Sequence, residues 1–431
     1  MASILLSFVG QQDPFSEHTN KEGSIVTLVR HLWEKQCEIK RVVLLHTQNT
    51  QQGAEDTKEW LESEAVKLAN NCIELIPVSN ALSRDPVNLL LAVNEARKGI
   101  ERGLEYFSKG DKLEFNASSG TPVMKSAWTV LQAAGYAPHS SVWQVRNPQQ
   151  VQSGQTRVFE TNVDTFKREF DVKVIQRQIR DYNYSGALVT LSETGLDAPV
   201  MEGLLNYAQC RISFDFQRAH TFIQPLRDFV DDRWIKQIAA LRQKDQRALV
   251  REIYFNALIK LNNQNYSEFL IFVSGFQERL LWILVSEGLG LKRIPQSPQS
   301  KSAEFWQKIN HCDSGALLDY LENYRLDNGR VLRLEHDKAP SRLLLKALAR
   351  YFLQENVSLV NLIARLDDIG GDRNTFVHQF EGVSEIANQA EIQATLRNIL
   401  KQIHNYNPTN PFDTLNQNLC DLLDKFLRPL T

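Results

Sequence analysis

The stretch "KLEFNASSGTPVMKSAW", residues 112–128, changes character in its middle. Lys112 to Asn116, with Leu113 and Phe115 as its apolar residues, reads as a strand. Ser118, Ser119, Gly120 and Thr121 then make a small-residue turn, and Pro122 opens a helical pattern at the first helical position, where its missing N–H costs nothing. A strand that passes into a helix through such a turn is one half of a βαβ unit. The rest of the first 150 residues repeats the alternation. "SILLSFV" (3–9), "RVVLLHT" (41–47), "IELIPVS" (73–79) and "SVWQVRN" (141–147) read as further strands, most of them apolar on both faces, as suits a sheet covered on both sides. Helical stretches start between them near Gly23, Ala54, Pro86 and Pro122. Strict alternation predicts an α/β, Rossmann-like domain with a parallel, doubly wound sheet.

In such a sheet ligands bind beyond the carboxyl ends of the strands. Two loops fall there: "GQQDP" (10–14), after the first strand, and "NASSGTPVMKSAW" (116–128). Gly120 lets backbone approach a ligand, the hydroxyls can donate, and N–H groups at the helix start favour an anion such as a phosphate. A plain strand-to-helix turn is the competing reading of this loop alone. There is no GxGxxG after the first strand and no GxxxxGK[ST], so neither a dinucleotide cofactor nor ATP hydrolysis is indicated.

Residues 147–158 are Gln-rich with Pro148 and Gly154, a surface connector. From about Thr165 apolar residues recur at helical spacing, as in "VIQRQIRDYNYSGALVTL" (174–191), and the remaining 260 or so residues are expected to be all-α. "RIPQSPQSKS" (293–302) reads as the long loop within them. The most apolar stretch, "FLIFVSGFQERLLWILVSEGLGL", carries Glu278 and Arg279 at its middle, so it reads as a core helix and not a membrane span. The apolar N-terminus has no basic region before it and no cleavage site after it, and the protein is expected to be cytoplasmic. The five cysteines are scattered, which supports neither disulfides nor structural zinc. With a formal net charge of −2, any nucleic acid has to be held by a local basic groove.

Near the C-terminus stands "GGDRNTFVHQF" (370–380), with Asp372 as a good N-cap after two glycines. Arg373 and His378, five apart, are separated by about 140° around a helix and make a poor dyad within one chain. Asn374 and His378 share a face. Two copies of this helix across a two-fold axis would gather two Arg, two Asn and two His in one cleft. Such a cleft suits RNA cleavage: Arg clamps a phosphate, His moves a proton near neutral pH, Asn orients either, and the RNA 2′-hydroxyl supplies the nucleophile without a metal.

Taken together, the opening "ILLSFVGQQDPFSEHTNKEGSIVTLVRHL", the loop "NASSGTPVMKSA" and the motif "RNTFVH" resemble the CRISPR type III accessory ribonucleases of the Csm family, which join an N-terminal CARF sensor domain to a C-terminal HEPN nuclease domain. The resemblance implies a CARF domain at 1–152, a helical connector at 153–245 and a HEPN domain at 246–431. It implies a homodimer, activated by cyclic tetra- or hexa-adenylate and cleaving single-stranded RNA to a 2′,3′-cyclic phosphate, with no metal or cofactor and no stable association with the CRISPR effector complex. Carried over by position, Arg373, Asn374 and His378 form the nuclease site. Gly10, Gln11, Gln12, Asp13, Asn116, Ser118, Ser119, Gly120 and Thr121 line the ring-nucleotide site, with Met124 and Lys125 as additions. Some members also cut the messenger in the CARF site, where Thr121 or Ser118 would position a ribose hydroxyl. The alternatives are a catalytically silent cyclic-nucleotide-binding regulator or scaffold, and a ring nuclease acting mainly on the messenger.

Overall fold

The computed structural model describes residues 2–16, 21–63, 68–137, 139–161, 163–291, 302–326, 328–336, 338–366, 383–403 and 409–427. The chain divides into two compact units, Met1–Asp171 and Val172–Thr431, so the stretch 153–245 is shared between them.

Unit 1 contains the strands β1 (Ala2–Phe8), β2 (Phe15–Ser16), β3 (Lys21–Glu22), β4 (Glu38–His46), β5 (Ile73–Pro77), β6 (Lys112–Asn116), β7 (Ser140–Val145) and β8 (Val158–Thr161). Its helices are α1 (Ser24–Glu34), α2 (Gln51–Glu62), α3 (Asn80–Arg84), α4 (Leu89–Leu104) and α5 (Pro122–Ala133). Six strands form one sheet in the order β5-β4-β1-β6-β7-β8, and β2 and β3 form a small antiparallel pair. The five expected strands run parallel; β8 pairs antiparallel with β7 at the edge. The Gln-rich connector thus ends in a strand that the pattern does not reveal, because four residues, "VFET", are too few to show a period.

β1 is buried along nearly its whole length, and the two-residue period assigns its side chains to opposite layers. Ile4, Leu6 and Phe8, with Val43, Leu45, Leu113 and Phe115, pack against Ala92, Ala96 and Ile100 of α4 and Met124, Ala127 and Trp128 of α5. Leu5, Val9, Val42 and Leu44 pack against Ile25, Leu28, Val29 and Leu32 of α1 and Ala54 and Leu61 of α2. Each such aliphatic side chain contributes roughly 1.5–3 kcal/mol by leaving water. The chain moves from β1 outward through β4 to β5, then returns through α4 to β6 on the other side of β1. The strand order therefore reverses between β1 and β6, and a crevice opens at their carboxyl ends.

Unit 2 is helical. α6 (Asp164–Arg180) carries the chain into it, followed by α7 (Tyr184–Glu193), α8 (Pro199–Ile212), α9 (Phe216–Ile223), α10 (Asp232–Arg242), α11 (Gln246–Asn262), α12 (Tyr266–Gly288), α13 (Ser302–His311), α14 (Ala316–Glu322), α15 (Arg342–Phe352) and α16 (Val357–Arg365). Among the described residues the helices Gln389–Ile403 and Pro411–Leu427 follow. One core gathers α11, α12, α14, α15 and the helix Gln389–Ile403. A second gathers the helices from Val172 to α10, and Phe412, Leu415, Leu419 and Leu423 of the last helix return to it. α12 is long and apolar enough to cross a membrane by composition, yet 67% of its most apolar window is buried inside the protein, as the reading of a core helix expects. Between α8 and α11, the fully buried Arg211 makes a two-pronged ion pair with Glu252, Nε to Oε1 at 2.7 Å and Nη2 to Oε2 at 2.8 Å. Its Nη1 donates to the Tyr207 hydroxyl at 2.7 Å, so the buried charge is paired and bonded, the condition under which such a pair persists. The expected loop 293–302 lies, but for its last residue, outside the described residues.

In unit 1 a second buried charge sits inside the sheet. Glu114 on β6 is 3% exposed and accepts from Ser3 Oγ at 3.1 Å and from Trp143 Nε1 at 2.6 Å. Burial raises its carboxyl pKa; the bond from Trp143 and the charge of Lys112 oppose the rise without cancelling it. A pKa raised on folding stabilises fully below the unfolded value, about 4.3, and that contribution is lost as the pH climbs through the folded value. Glu114→Gln should therefore be more stable than the unmodified protein at pH 8, with the difference shrinking towards pH 4. Urea midpoints of the two proteins across that range measure this, and a pH-independent difference would refute it.

Candidate functional site

The crevice between β1 and β6 is a cavity of about 570 Å³. Its floor is built by two loops that meet through a buried carboxylate. Asp13, 7% exposed, accepts from the backbone N–H of Gly10 (3.0 Å to Oδ2) and of Ile25 (3.3 Å to Oδ1), and from the hydroxyl of Ser119. Gly10 N–H also donates to Ser119 Oγ at 2.8 Å. Ile25 lies in the first turn of α1, whose own N-cap residue, Gly23, has no side chain to offer, so Asp13 caps that helix from outside. A Cβ at Gly23 would meet Gln12 O at 2.4 Å and Asp13 Oδ1 at 2.6 Å; glycine is required by this close approach. Burial pushes the Asp13 carboxyl pKa up against the bonds from Ser119, Gly10 and Ile25.

The second loop is held as tightly. Asn116 is fully buried at the end of β6, where its amide donates to Ser7 Oγ (3.1 Å) and Ser24 Oγ (3.2 Å) and its Oδ1 accepts from Ser118 N (3.0 Å). Ser118 Oγ accepts from Val145 N at 2.7 Å, which fastens the loop to the end of β7. Gly120 has φ +91°, a left-handed conformation that favours glycine, and a Cβ there would press on Met124 and Phe8. Thr121 caps α5 by accepting from Met124 N at 3.5 Å and donates its hydroxyl to Pro86 O at 2.6 Å. Pro122 follows at the first helical position, so the positive end of the α5 dipole lies at the crevice.

Of the sequence-predicted ligand residues, Gly10, Gln11, Gln12, Asp13, Ser118, Ser119, Gly120, Thr121, Met124 and Lys125 all line this one cavity. Asn116 lies beneath it, bonded to Ser7 of β1, Ser24 of α1 and the backbone of Ser118. Arg373, Asn374 and His378 lie outside the described residues. Sequence reasoning missed the other strand ends. Thr47, Asn49 and Thr50 follow β4, Arg146 and Asn147 follow β7, and Arg157 precedes β8. The same carboxyl-end rule that found the first two loops applies to "HTQNT" and "VRN". Arg146 Nη1 donates to Thr156 O at 2.6 Å and its guanidinium lies 3.9 Å from the Phe159 ring centre, while Arg157 Nη2 donates to Glu22 O at 2.6 Å. Burial draws the Arg157 pKa down without discharging it. Lys125, Arg146 and Arg157 thus put three cations on a cavity whose two acids are Asp13, buried in the floor, and Glu22, paired with Arg30. Among the described residues, no group of three or more His, Cys, Asp or Glu is placed to hold a metal ion.

A Cβ on Gly10 would come within 2.9 Å of the backbone nitrogen of Gly120. Gly10→Ala therefore has to part the two loops, and it should destabilise unit 1 by about 1–3 kcal/mol. Gly275→Ala, inside α12 with nothing within 4 Å of the new carbon, should instead stabilise by about 0.4–1 kcal/mol. Denaturant titration of both variants decides this; equal effects would mean that the loops are not in contact through Gly10.

Residues 230–421 match the family model described as the Cas_Csm6 HEPN domain, a span that includes the "RNTFVH" motif. No curated protein matches the chain by sequence. Among solved structures the chain is similar to Enterococcus italicus Csm6 bound to cyclic hexa-2′-fluoro-hexa-dAMP, with a TM-score of 0.68 and 16% identity over 98% of this chain and 100% of that one. At that identity the likeness speaks for the fold, a Rossmann-like unit followed by a helical one, and the domain match speaks for the family. Residues 230–421 thus carry the HEPN ribonuclease domain of the Csm6 family, and the chain along its length shares the fold of a solved Csm6 protein.

Proposed function

We propose that this ribonuclease is switched on by a cyclic oligoadenylate bound at the β1–β6 crevice and that it cleaves single-stranded RNA without a metal. The observation that carries the reading is the crevice itself. It offers a helix N-terminus, the hydroxyl of Ser118 and three cationic side chains at the switch point of the sheet, which suits a ring of phosphodiesters. The ligand of the structurally similar Enterococcus italicus protein is of that class. A ring with internal symmetry is matched by a homodimer that presents two such crevices to it, and the protein would act in the cytoplasm as that dimer, without a stable place in the effector complex.

In the nuclease site Arg373 clamps the scissile phosphate, Asn374 orients it and His378 moves a proton. The 2′-oxygen attacks the adjacent phosphorus; the P–O2′ bond forms as the P–O5′ bond breaks, leaving a 2′,3′-cyclic phosphate and a 5′-hydroxyl. The attacking group belongs to the substrate, so a metal-generated hydroxide has no part to play. Within the sensor, the Thr121 hydroxyl is committed to Pro86 O and to the α5 cap. Ser118 keeps a proton to donate and is the better placed of the two to meet a ribose, should the ring also be cut.

Labelled single-stranded RNA is incubated with the protein and a chelator, with and without cyclic tetra- or hexa-adenylate. Cleavage should depend on one of the rings and fall by at least about 10²-fold in His378→Ala. Gly120→Val should lose activation while keeping basal cleavage. Cleavage that survives His378→Ala, or that no ring stimulates, would overturn the proposal.

A further inference from the structure

We infer that Asn49, on the β4 side of the crevice, is the residue that reads the adenine base of the ring; this rests on the ligand proposed above. The crevice has two chemically different flanks. In the sheet, β4 lies to one side of the β1–β6 reversal, and β7 and β8 lie to the other. Arg146 follows β7 and Arg157 precedes β8, so both guanidinium groups belong to the second flank. The first flank is lined by Thr47, Asn49 and Thr50, after β4, and by Ser83 and Pro86, and these five are uncharged. The N-terminus of α5 follows β6, between the two. Phosphates are drawn to the helix terminus and the cations, which leaves the uncharged flank for a base.

That flank is a fixed frame. Gln48–Thr50 is one turn of 3₁₀ helix directly after β4. Thr47 N–H donates to Thr50 Oγ1 at 3.0 Å, and the two hydroxyls are 3.1 Å apart. Gln48 ties the turn to α3, its backbone N–H donating to Ser83 Oγ at 3.4 Å and its amide to Asn80 Oδ1 at 3.0 Å. Pro86 is held to the start of α5 by the Thr121 hydroxyl. Asn49 stands in the middle of this frame with an exposed side chain that has no hydrogen-bond partner among the described residues. The other asparagines of the crevice are committed: Asn116 Oδ1 accepts from Ser118 N and Asn147 Oδ1 from Gln149 N, both at 3.0 Å. A carboxamide with both halves unspent matches one edge of adenine, accepting from the N6 amino group while donating to N7. Hypoxanthine and guanine present two acceptors there, O6 and N7, and leave the amide oxygen facing a carbonyl. Gln11 and Gln12 carry the same group on a longer side chain, which loses more rotamer freedom when it is fixed. Pro86 and Met124 add apolar surface for the flat face of a base, Met124 through a polarisable thioether.

Calorimetry on the full-length protein measures binding of cyclic hexa- and tetra-adenylate, beside rings of the same size built from 7-deazaadenine or from inosinate. The parent should bind its preferred adenylate ring about ten- to a hundredfold more tightly than the 7-deaza or inosinate ring, the discrimination expected of a two-pronged amide contact. Asn49→Ala and Asn49→Asp should lose affinity for adenylate and bring the ratio of adenylate to 7-deaza affinity close to one. Because the readout is a ratio, the added charge of the Asp variant or a small change in stability cancels. Asn49→Arg, with two N–H donors for O6 and N7, should prefer the inosinate ring. The ring concentration that half-activates RNA cleavage should move with the affinity. A ratio near one in the parent, or a ratio that persists in Asn49→Ala as it would if the amide met the ribose, overturns the assignment, while binding of the adenylate ring by the parent keeps the proposed ligand. If the parent binds no ring at all, the proposed ligand falls and the assignment falls with it.

Discussion

The strand Ala2–Phe8 has no face that can meet water, and the architecture of unit 1 follows from that constraint. Six of its seven residues are buried. It therefore needs a neighbour on each edge to satisfy its backbone and a helical layer on each side to cover its side chains. β4 and β6 supply the edges; α1 with α2, and α4 with α5, supply the layers. Once the first strand of the chain is central, later strands have to be added outward on one side and then on the other. The crevice at the reversal is a consequence of burial, and the sequence furnishes the two loops beside it with residues small enough to leave it open.

The carboxylate beneath that crevice looks misplaced under the anion site proposed above. Its position is explained by what it joins: Gly10, Ile25 and Ser119 belong to the first loop, the start of α1 and the second loop, and all three donate to Asp13. Desolvation makes the charged form costly and raises the pKa. The three donors also offset the negative charge that a phosphate bound there, as proposed, would meet. A residue that was only an acid would repel the ligand; one whose lone pairs are already claimed by three donors acts mainly as a brace.

The parallel strands and the two principal loops were legible because they depend on short-range patterns: apolar runs, small-residue turns and a proline at a helix start. β8 was not legible, since an edge strand of four residues is fixed by its partner β7 and not by its own sequence. Asn116 reads in the sequence as lining the cavity, but the register pairs it with Ser7, and its amide is spent on Ser7 and on Ser24 of α1. In unit 2 a signal was present and went unread. Tyr182, Phe214, Lys244 and Gln264 take left-handed φ at helix ends, and each is followed by the Asn or Asp at the N-cap of the next helix: Asn183, Asp215, Asp245 and Asn265. This is a recurrent corner whose capping residue is visible in sequence, whereas the left-handed residue before it, here never glycine, is not. Arg373, Asn374 and His378 lie outside the described residues, so the reading of "RNTFVH" rests on the sequence and on the family match that spans it.

The two loops also define how a ligand could act on the fold. Their contact runs through few atoms: the Asp13 and Ser119 side chains and the backbone of Gly10 and Gly120. The first loop is bonded to the start of α1 through Ile25, and the second continues into α5 through Thr121. Those helices lie on opposite faces of the sheet, α1 in one core layer and α5 in the other. A ligand seated across both loops can shift an equilibrium only by the difference in its affinity for two arrangements of them. Any such difference is a difference in loop spacing, and each loop moves with the first turn of its own helix. The sheet between the helices is close-packed and resists deformation, so a displacement of the loops is passed to the N-terminal turns of α1 and α5, to which they are bonded.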